Sequence, residues 1–174
     1  MVILIGGASH TGKTVLAQKL LEKYHYPYLS IDHRKMGIIR SKETSLTVFD
    51  DEELVDYLWP IIQAIIKTAI ENKQNLIIEG FYIPYNYSAY FTEQKLSSID
   101  YHCLVMTPTY IENNFTLILK HSNVIETRIV DSNVTKEMLT AANQRNLEQC
   151  QKYGHNVILI KENFEADLAK HFNF

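Results

Sequence analysis

Cysteine is scarce in this sequence. Cys103 and Cys150 are the only two among 174 residues, too few for a disulfide framework or a zinc site. This usage is typical of a reducing cytosol, so we expect a cytoplasmic protein. No basic segment precedes the first apolar run, and no stretch approaches the roughly 20 apolar residues of a membrane-spanning helix. We therefore expect no signal peptide and no association with a membrane.

Positive charge is limited too. Lysine and arginine total 17 against 20 for aspartate and glutamate, which gives a formal net charge of −3. This balance argues against a nucleic-acid backbone as the main partner. A hydrophobic content of 46% with 21% charged residues is ordinary for a globular protein, and the length suits one domain with a sizeable core. We expect residues 1–174 to form a single domain.

The most specific pattern in the chain is a glycine-bounded loop at residues 7–14. It reads GASHTGKT and matches the phosphate-binding pattern G-x-x-x-x-G-K-[ST] at every fixed position. The apolar run at residues 2–5 predicts a buried strand before it, and residues 15–21 carry apolar side chains at helical spacing after it. Because strand, loop and helix follow in the order that a phosphate cradle requires, the sequence predicts a nucleotide-binding site.

The residue types of this loop explain how it would bind a nucleotide. Gly7 and Gly12 can adopt backbone conformations closed to other residues, so the backbone N–H groups can point inward. Lys13 can reach the β- and γ-phosphates, and the Thr14 hydroxyl can ligate Mg²⁺. We expect the whole loop to contact the nucleotide, through Gly7, Ala8, Ser9, His10, Thr11, Gly12, Lys13 and Thr14.

Apolar strands alternate with helical patterns along the rest of the chain. Strands are predicted at 2–5, 26–31, 76–78, 100–106 and 156–160, and the later helices at 50–72, 109–121, 135–153 and 164–171. Pro60 predicts a kink in the longest helix or its division into two. The alternation is typical of an α/β fold with a parallel sheet covered on both faces, in which ligands bind beyond the carboxyl ends of the strands.

Two carboxylates follow predicted strands at that edge of the sheet. Asp32 ends the second strand and Glu79 the third. Each can ligate a metal ion or take the proton of an acceptor hydroxyl, although Asp32 could instead cap the helix that follows. The aromatic-rich segment 81–90 should lie beside them, as the wall of an acceptor pocket or as a small satellite core.

Arginine is rare enough for each position to be informative. The four are Arg34, Arg40, Arg128 and Arg145. Guanidinium groups clamp phosphates, and a surface salt bridge is the alternative use. Arg34 and Arg40 follow Asp32 on the predicted acceptor side, and Arg145 lies on a predicted helix. Arg128 lies in the polar segment 121–135, which we expect to form a lid.

These residues resemble the P-loop small-molecule kinases, which include adenylate-kinase-like and shikimate-kinase-like enzymes. The phosphate loop matches their Walker A sequence, and residues 77–81, IIEGF, are similar to the hydrophobic strand and acid-glycine pair at their acceptor site. Adenylate kinases carry Asp-Gly-Phe-Pro-Arg there, whereas this chain lacks the arginine. Asp32 matches an acid that several members use to orient or deprotonate an acceptor hydroxyl. Residues 30–34 are more similar to kinases of hydroxylated metabolites, including the 2-phosphoglycerate-kinase-like group.

The resemblance implies a three-layer α/β/α fold with a five-stranded parallel sheet in the order 2-3-1-4-5. It implies ATP with Mg²⁺ as the donor, an adenine site near residues 161–164, and transfer of the γ-phosphoryl group to a hydroxyl or phosphate of a small metabolite. Lys13, Asp32, Glu79 and Arg128 would be catalytic, and Thr14 with Asp32 or Glu79 would hold Mg²⁺. The acceptor would contact Asp32, Arg34, Arg40, Glu79, Gly80 and Arg145.

Two other functions fit the same residues. A nucleoside or nucleoside-monophosphate kinase is the nearest alternative. A nucleotide-dependent regulatory ATPase or switch is an alternative of a different class, although the chain has no Asn-Lys-x-Asp motif of the kind by which GTPases read their base. Only a kinase requires a small acceptor molecule for rapid turnover.

Overall fold

The computed structural model describes residues 1–121 and 134–172. Within them the strands are β1 Val2–Gly7, β2 Tyr28–Ser30, β3 Leu76–Glu79, β4 Ile99–Met106 and β5 Asn156–Ile160. The helices are α1 Lys13–Tyr24, α2 Ile31–Arg40, α3 Asp51–Glu71, α4 Glu93–Leu96, α5 Pro108–His121, α6 Lys136–Lys152 and α7 Phe164–Ala169, with a 3₁₀ turn at Tyr87–Tyr90. Strands and helices alternate as the sequence predicts.

The described strands form one parallel sheet in the order β2-β3-β1-β4-β5. This order confirms the predicted three-layer α/β/α fold. Ile5 of β1 lies level with Glu79 of β3 on one side and with His102 of β4 on the other, and Ser30 of β2 lies level with Glu79. The carboxyl ends of β1, β2 and β3 therefore meet at one edge of the sheet, where the phosphate loop begins.

β1 is buried along its whole length because helices cover both faces of the sheet. Val2 and Leu4 pack into the layer that contains α2 and α3, whereas Ile3 and Ile5 pack into the layer of α1, α5 and α7. This alternation follows from the two-residue period of a strand. The apolar face of α3 holds that helix firmly on the sheet through four fully buried residues, Leu54, Leu58, Ile62 and Ile66.

β2 is shorter than the sequence predicts, and this corrects the position of Asp32. The strand ends at Ser30 and α2 begins at Ile31, so Asp32 lies in the first turn of a helix and not at the end of a strand. Ser30 is the extended N-cap residue of α2, with φ −83° and ψ 124°. Because the positive end of a helix dipole stabilises a carboxylate in the first turn, Asp32 also favours the start of α2.

α3 is one continuous helix of 21 residues that contains Pro60, so of the two predicted alternatives the division into two helices is wrong, and the kink stays a prediction. Pro60 is exposed, whereas Leu58 and Ile62 beside it are fully buried. A proline inside a helix costs about 3 kcal/mol, and the long apolar face of α3 offsets that cost. The sequence does not predict α4, because four residues show no helical period.

The predicted lid, residues 121–135, lies mostly outside the described residues. At its far end Thr135 is the N-cap of α6, and its side-chain oxygen accepts a hydrogen bond of 3.2 Å from the Met138 amide. That cap confirms the predicted start of the helix. None of the helices that the structure describes is both long enough and apolar enough to cross a membrane.

Candidate active site

The phosphate loop has the backbone shape that its glycines permit. Gly7 and Gly12 have φ angles of 137° and 84°, in the region that side chains disfavour. A Cβ atom at Gly7 would lie 2.5 Å from the Leu104 carbonyl oxygen, and one at Gly12 would lie 2.5 Å from the Phe164 ring. Both glycines are therefore required by close packing against Leu104 and Phe164 as well as by backbone conformation.

Lys13 lies over this cradle. Its side chain is buried, with 6% of the residue exposed, and its Nζ donates a hydrogen bond of 2.8 Å to the Ala8 carbonyl oxygen. Thr11 donates to the same oxygen through its Oγ1, also at 2.8 Å. α1 begins at Lys13 after Gly12, which has no side chain with which to cap the first amides of the helix. The positive end of the helix thus faces the loop, as anion binding requires.

These residues fit the phosphates of a nucleoside triphosphate. The loop N–H groups and Lys13 would hold the phosphates, and Thr14, the second residue of α1, would offer a hydroxyl to Mg²⁺. Among residues 1–121 and 134–172 no three His, Cys, Asp or Glu side chains converge on a potential metal site. Mg²⁺ at a nucleotide site usually binds one or two protein oxygens plus the phosphates, so a hydroxyl and one carboxylate fit that need.

Glu79 lies one strand away from the phosphate loop. It ends β3 beside Ile5 of β1, and it is buried, with 1% of the residue exposed. The next residue, Gly80, donates its backbone N–H to the Ile5 carbonyl oxygen at 3.1 Å. A Cβ atom at Gly80 would lie 2.7 Å from Cβ of Ile31, so this glycine lets β3 approach the first residue of α2. Glu79 and the start of α2 are thereby held at the same edge as the loop.

Asp32 belongs to a network of polar side chains at that edge. Its Oδ1 lies 3.0 Å from Nζ of Lys35, and their side chains are 27% and 13% exposed. Lys35 also donates a 2.9 Å hydrogen bond to the Tyr82 hydroxyl, which in turn donates to Oδ1 of Asp51 at 2.7 Å. Burial and the bond to Asp51 raise the pKa of Tyr82, so its hydroxyl keeps the proton that it donates. Sequence reasoning identified Asp32 but missed Lys35, Tyr82 and Asp51.

Three of the four arginines, Arg34, Arg40 and Arg145, lie in the described part of the chain. Arg34 lines a cleft of about 630 Å³ beside α3, whose walls include Ile65 and Leu76 at the start of β3. Arg40 is exposed in the last turn of α2, and Arg145 is exposed on α6. Arg128 lies outside the described residues. Their roles as phosphate or acceptor ligands stay predictions.

The turn after β5, where the resemblance implies an adenine site, is fixed by a carboxylate that sequence reasoning missed. Asp167 is buried, and its Oδ2 accepts hydrogen bonds from the backbone amides of Lys161 and Glu162 at 2.7 and 3.1 Å. Its Oδ1 accepts from Lys170 at 2.6 Å. Burial alone would raise the pKa of Asp167, but these bonds outweigh burial and lower it. The turn carries Phe164 against Gly12, which joins it to the phosphate loop.

The aromatic segment after β3 is mainly part of the core. Tyr82 and Tyr87 are buried in the cluster that contains α3, and the Tyr85 hydroxyl donates to Oδ1 of Asn146 at 2.8 Å. Burial raises the pKa of Tyr85 to about 12. Phe81, next to Gly80, is 42% exposed and packs edge-on against Tyr82, with ring centroids 5.5 Å apart. Most of this segment is therefore structural, and Phe81 is exposed beside Gly80.

Solved structures match this fold along nearly its whole length. A shikimate kinase from Bacteroides thetaiotaomicron superposes with a TM-score of 0.55 at 14% identity, covering 100% of this chain and 99% of the other. A sugar kinase from Janibacter gives 0.56 at 13% identity, over 99% and 92%. A deoxyadenosine kinase from M. mycoides gives 0.55 at 15% identity, over 99% and 97%.

No family model and no curated protein matches the sequence. At identities of 13–15% the structural similarity establishes the fold alone. The same comparisons bear out the resemblance that the phosphate loop and the Glu79-Gly80 pair suggest. This chain has the fold of the P-loop small-molecule kinases.

Proposed function

We propose that this protein is an ATP-dependent phosphotransferase that moves the γ-phosphoryl group to a small metabolite in the cytoplasm. The observation that carries the proposal is the meeting of three features at one sheet edge: the glycine cradle with Lys13, the buried Glu79, and Asp32 in the first turn of α2. Phosphoryl transfer needs positioned phosphates, a metal ion and an oriented acceptor, and these residues can serve each need.

Each residue has a defined task in this proposal. The loop amides and Lys13 bind the triphosphate, and Lys13 stabilises the charge that moves during transfer. Mg²⁺, when bound, neutralises phosphate charge, and Thr14 with Asp32 or Glu79 would supply its protein ligands. Asp32 orients the acceptor hydroxyl or takes its proton. Arg128 would add positive charge from the proposed lid, and Arg34, Arg40 and Arg145 remain candidate acceptor contacts.

Local charge favours a hydroxyl acceptor over a phosphorylated one. The first turn of α3 consists of acidic residues, Asp51, Glu52 and Glu53, next to Tyr82. Lys35 is already paired with Asp32, and Arg34 lines the cleft beside α3. A phosphorylated acceptor would meet repulsion at this edge. A nucleoside kinase is therefore a closer alternative than a nucleoside-monophosphate kinase.

The experiment that tests the proposal is a screen of acceptors. ADP release by the purified protein is measured with ATP and Mg²⁺ against nucleosides, nucleotides, sugars and hydroxy acids. We expect one class of hydroxylated compound to raise turnover well above basal hydrolysis, and the Asp32→Asn variant to remove most of that increase. The control is Asp56→Asn, which neutralises an exposed carboxylate of α3 outside its first turn.

A regulatory ATPase would give a different result. Its slow hydrolysis would respond to no small acceptor, and Asp32→Asn would leave the rate unchanged. That outcome would replace the kinase proposal with the switch. A preference for nucleoside monophosphates would support the proposal that the protein is a kinase. It would overturn the proposal that the acceptor group is a hydroxyl.

A further inference from the structure

Lys35 occupies an unusual position between two carboxylates on different elements. Asp32 precedes it by one helical turn on α2, and Asp51 opens α3. The Lys35 ammonium is 3.0 Å from Asp32 and 2.9 Å from the Tyr82 hydroxyl, whose own proton is donated to Asp51. The lysine also lies over the Tyr82 ring, 4.9 Å from its centroid. Lys35 on α2 is thus bonded to Tyr82 in the segment after β3, and the Tyr82 hydroxyl extends the link to Asp51 on α3.

An ordinary helix salt bridge does not account for this arrangement. An exposed i,i+3 pair contributes a few tenths of a kcal/mol and leaves both side chains mobile. Here the Lys35 side chain is 13% exposed and Tyr82 is buried, so both partners are confined. Tyr82 is in turn anchored in the core cluster that contains α3. Lys35 therefore ties Asp32 to a rigid part of the molecule.

We propose that Lys35 is a positioning residue of the acceptor site: it fixes the Asp32 carboxylate relative to α3 through Tyr82 and Asp51. This inference rests on the proposed function, because it assigns Lys35 a role only through the action of Asp32 on the acceptor. Lys35 itself does not contact the reacting atoms. The Lys35 ammonium holds the Asp32 carboxylate in place. Its hydrogen bond to the buried Tyr82 restrains the ammonium, which would otherwise move as an exposed lysine does.

The kinetic test uses Lys35→Met and Tyr82→Phe, which remove the charge and the hydroxyl while keeping side-chain length and the ring. We expect Lys35→Met to lower kcat with the acceptor about thirtyfold, because misplacing a catalytic group by about 1 Å can cost a hundredfold. Tyr82→Phe should lower it less, since Lys35 still pairs with Asp32. Lys35→Arg should restore part of the loss. The matched controls are Lys120→Met and Tyr153→Phe, at exposed positions.

A double variant separates positioning from simple destabilisation. If Lys35 acts through Asp32, Lys35→Met should cost less than about twofold in kcat when Asp32→Asn is already present. A full thirtyfold loss in that background would overturn the proposal. So would an effect confined to the free energy of unfolding, with kcat unchanged in the folded fraction.

A second measurement does not depend on catalysis. Asp32 and Tyr82 interact through Lys35. The changes that Asp32→Asn and Tyr82→Phe make in the free energy of unfolding should therefore be non-additive in the native chain. In a chain that already carries Lys35→Met, the same two changes should be additive. Additivity in both chains would overturn the inference even if the protein is a kinase. Conversely, absence of any acceptor-stimulated turnover with the coupling intact would overturn the proposed function and leave the Lys35 linkage standing.

Discussion

The proposed donor side and the proposed acceptor side of this site are built in different ways. On the donor side the backbone forms the binding surface, and close contacts fix it: Gly7 against the Leu104 carbonyl and Gly12 against the Phe164 ring. On the acceptor side the binding groups are side chains, and Asp32 is held through Lys35 and Tyr82. A backbone cradle tolerates little change at its glycines, whereas a side-chain network can change its members and still orient a carboxylate.

Because the two proposed sides are built differently, they should contribute differently to the choice of substrates. In the proposed reaction the donor is always the triphosphate, so a rigid cradle suits the donor side. The acceptor would contact the network of residues 32, 35, 51 and 82, which is built of side chains. Variants of the donor side should therefore impair all turnover, and variants of the acceptor side should impair only transfer to the acceptor.

The largest expected effect is on the donor side, at Lys13. Lys13→Met removes the charge from the cradle while keeping a side chain of similar length. We expect kcat/KM for ATP to fall about a thousandfold, because a fixed cation at the transferring phosphate stabilises the transition state. Both basal hydrolysis and acceptor-dependent ADP release should fall. Lys120→Met is the control, and a loss of less than tenfold would contradict the assigned role of Lys13.

A pair of glycine variants tests the cradle itself. Gly12→Ala forces a side chain into a φ of 84° and against the Phe164 ring, and we expect a loss of about 3 kcal/mol in the free energy of unfolding together with loss of nucleotide affinity. Gly37→Ala, on α2, meets nothing within 4 Å and should stabilise the protein by about 0.5–1 kcal/mol. Chemical denaturation measures both, and equal effects at the two positions would contradict the packing described for Gly12.

The turn after β5 should show a smaller, pH-dependent effect. The folded-state pKa of Asp167 is lowered, so its carboxylate stabilises the fold above its ordinary unfolded-state pKa of about 3.9, and that stabilisation is lost as the pH falls. Asp167→Asn should lower the free energy of unfolding by about 2 kcal/mol at neutral pH, and this difference from the native chain should shrink below about pH 4. Urea denaturation of both proteins at several pH values measures the difference. Asp56→Asn, at an exposed acid of α3, is the matched control and should change the free energy of unfolding at neutral pH by less than about 0.5 kcal/mol.

The smallest expected effect lies at the far end of the acceptor network. Asp51→Asn weakens the bond from Tyr82 but keeps an acceptor oxygen, so we expect acceptor-dependent kcat to fall only about threefold. Nucleotide affinity, measured by calorimetry, should stay within twofold of the native value, because Asp51 belongs to the acceptor side. If Asp51→Asn weakened nucleotide binding as much as it slowed transfer, the two sides would not be separate.

The sequence predicts the fold well because its apolar periods and its loop are local signals. The run at residues 2–5 and the glycines of the phosphate loop identify β1 and the start of α1 without knowledge of the rest of the chain. The end of β2 was misplaced because residues 28–31 continue an apolar pattern across the strand–helix boundary. α3 continues through Pro60 because packing, which the local sequence does not contain, outweighs the cost of the proline.

The acceptor side is harder to predict because its contacts join distant parts of the chain. Lys35 bonds to Tyr82, 47 residues later, and Tyr82 bonds to Asp51, 31 residues earlier. Neither spacing belongs to a helix or strand period. The aromatic content of residues 81–90 is consistent with either a pocket wall or a small satellite core, and Tyr82 lies in the core while also bonding to Lys35. Asp167 was missed for a different reason: its amide partners, Lys161 and Glu162, are close in sequence but lie across a turn, which has no helix or strand period.

The most direct measurement follows the phosphoryl group itself. The protein is incubated with γ-³²P-labelled ATP, Mg²⁺ and the best acceptor from the screen, and the label is separated into phosphorylated acceptor and inorganic phosphate. A kinase with Asp32 as the acceptor-orienting group should place most of the label on the acceptor, and Asp32→Asn should shift it to inorganic phosphate. Label appearing only as inorganic phosphate with every acceptor, at the same rate in both proteins, would contradict the phosphotransferase assignment.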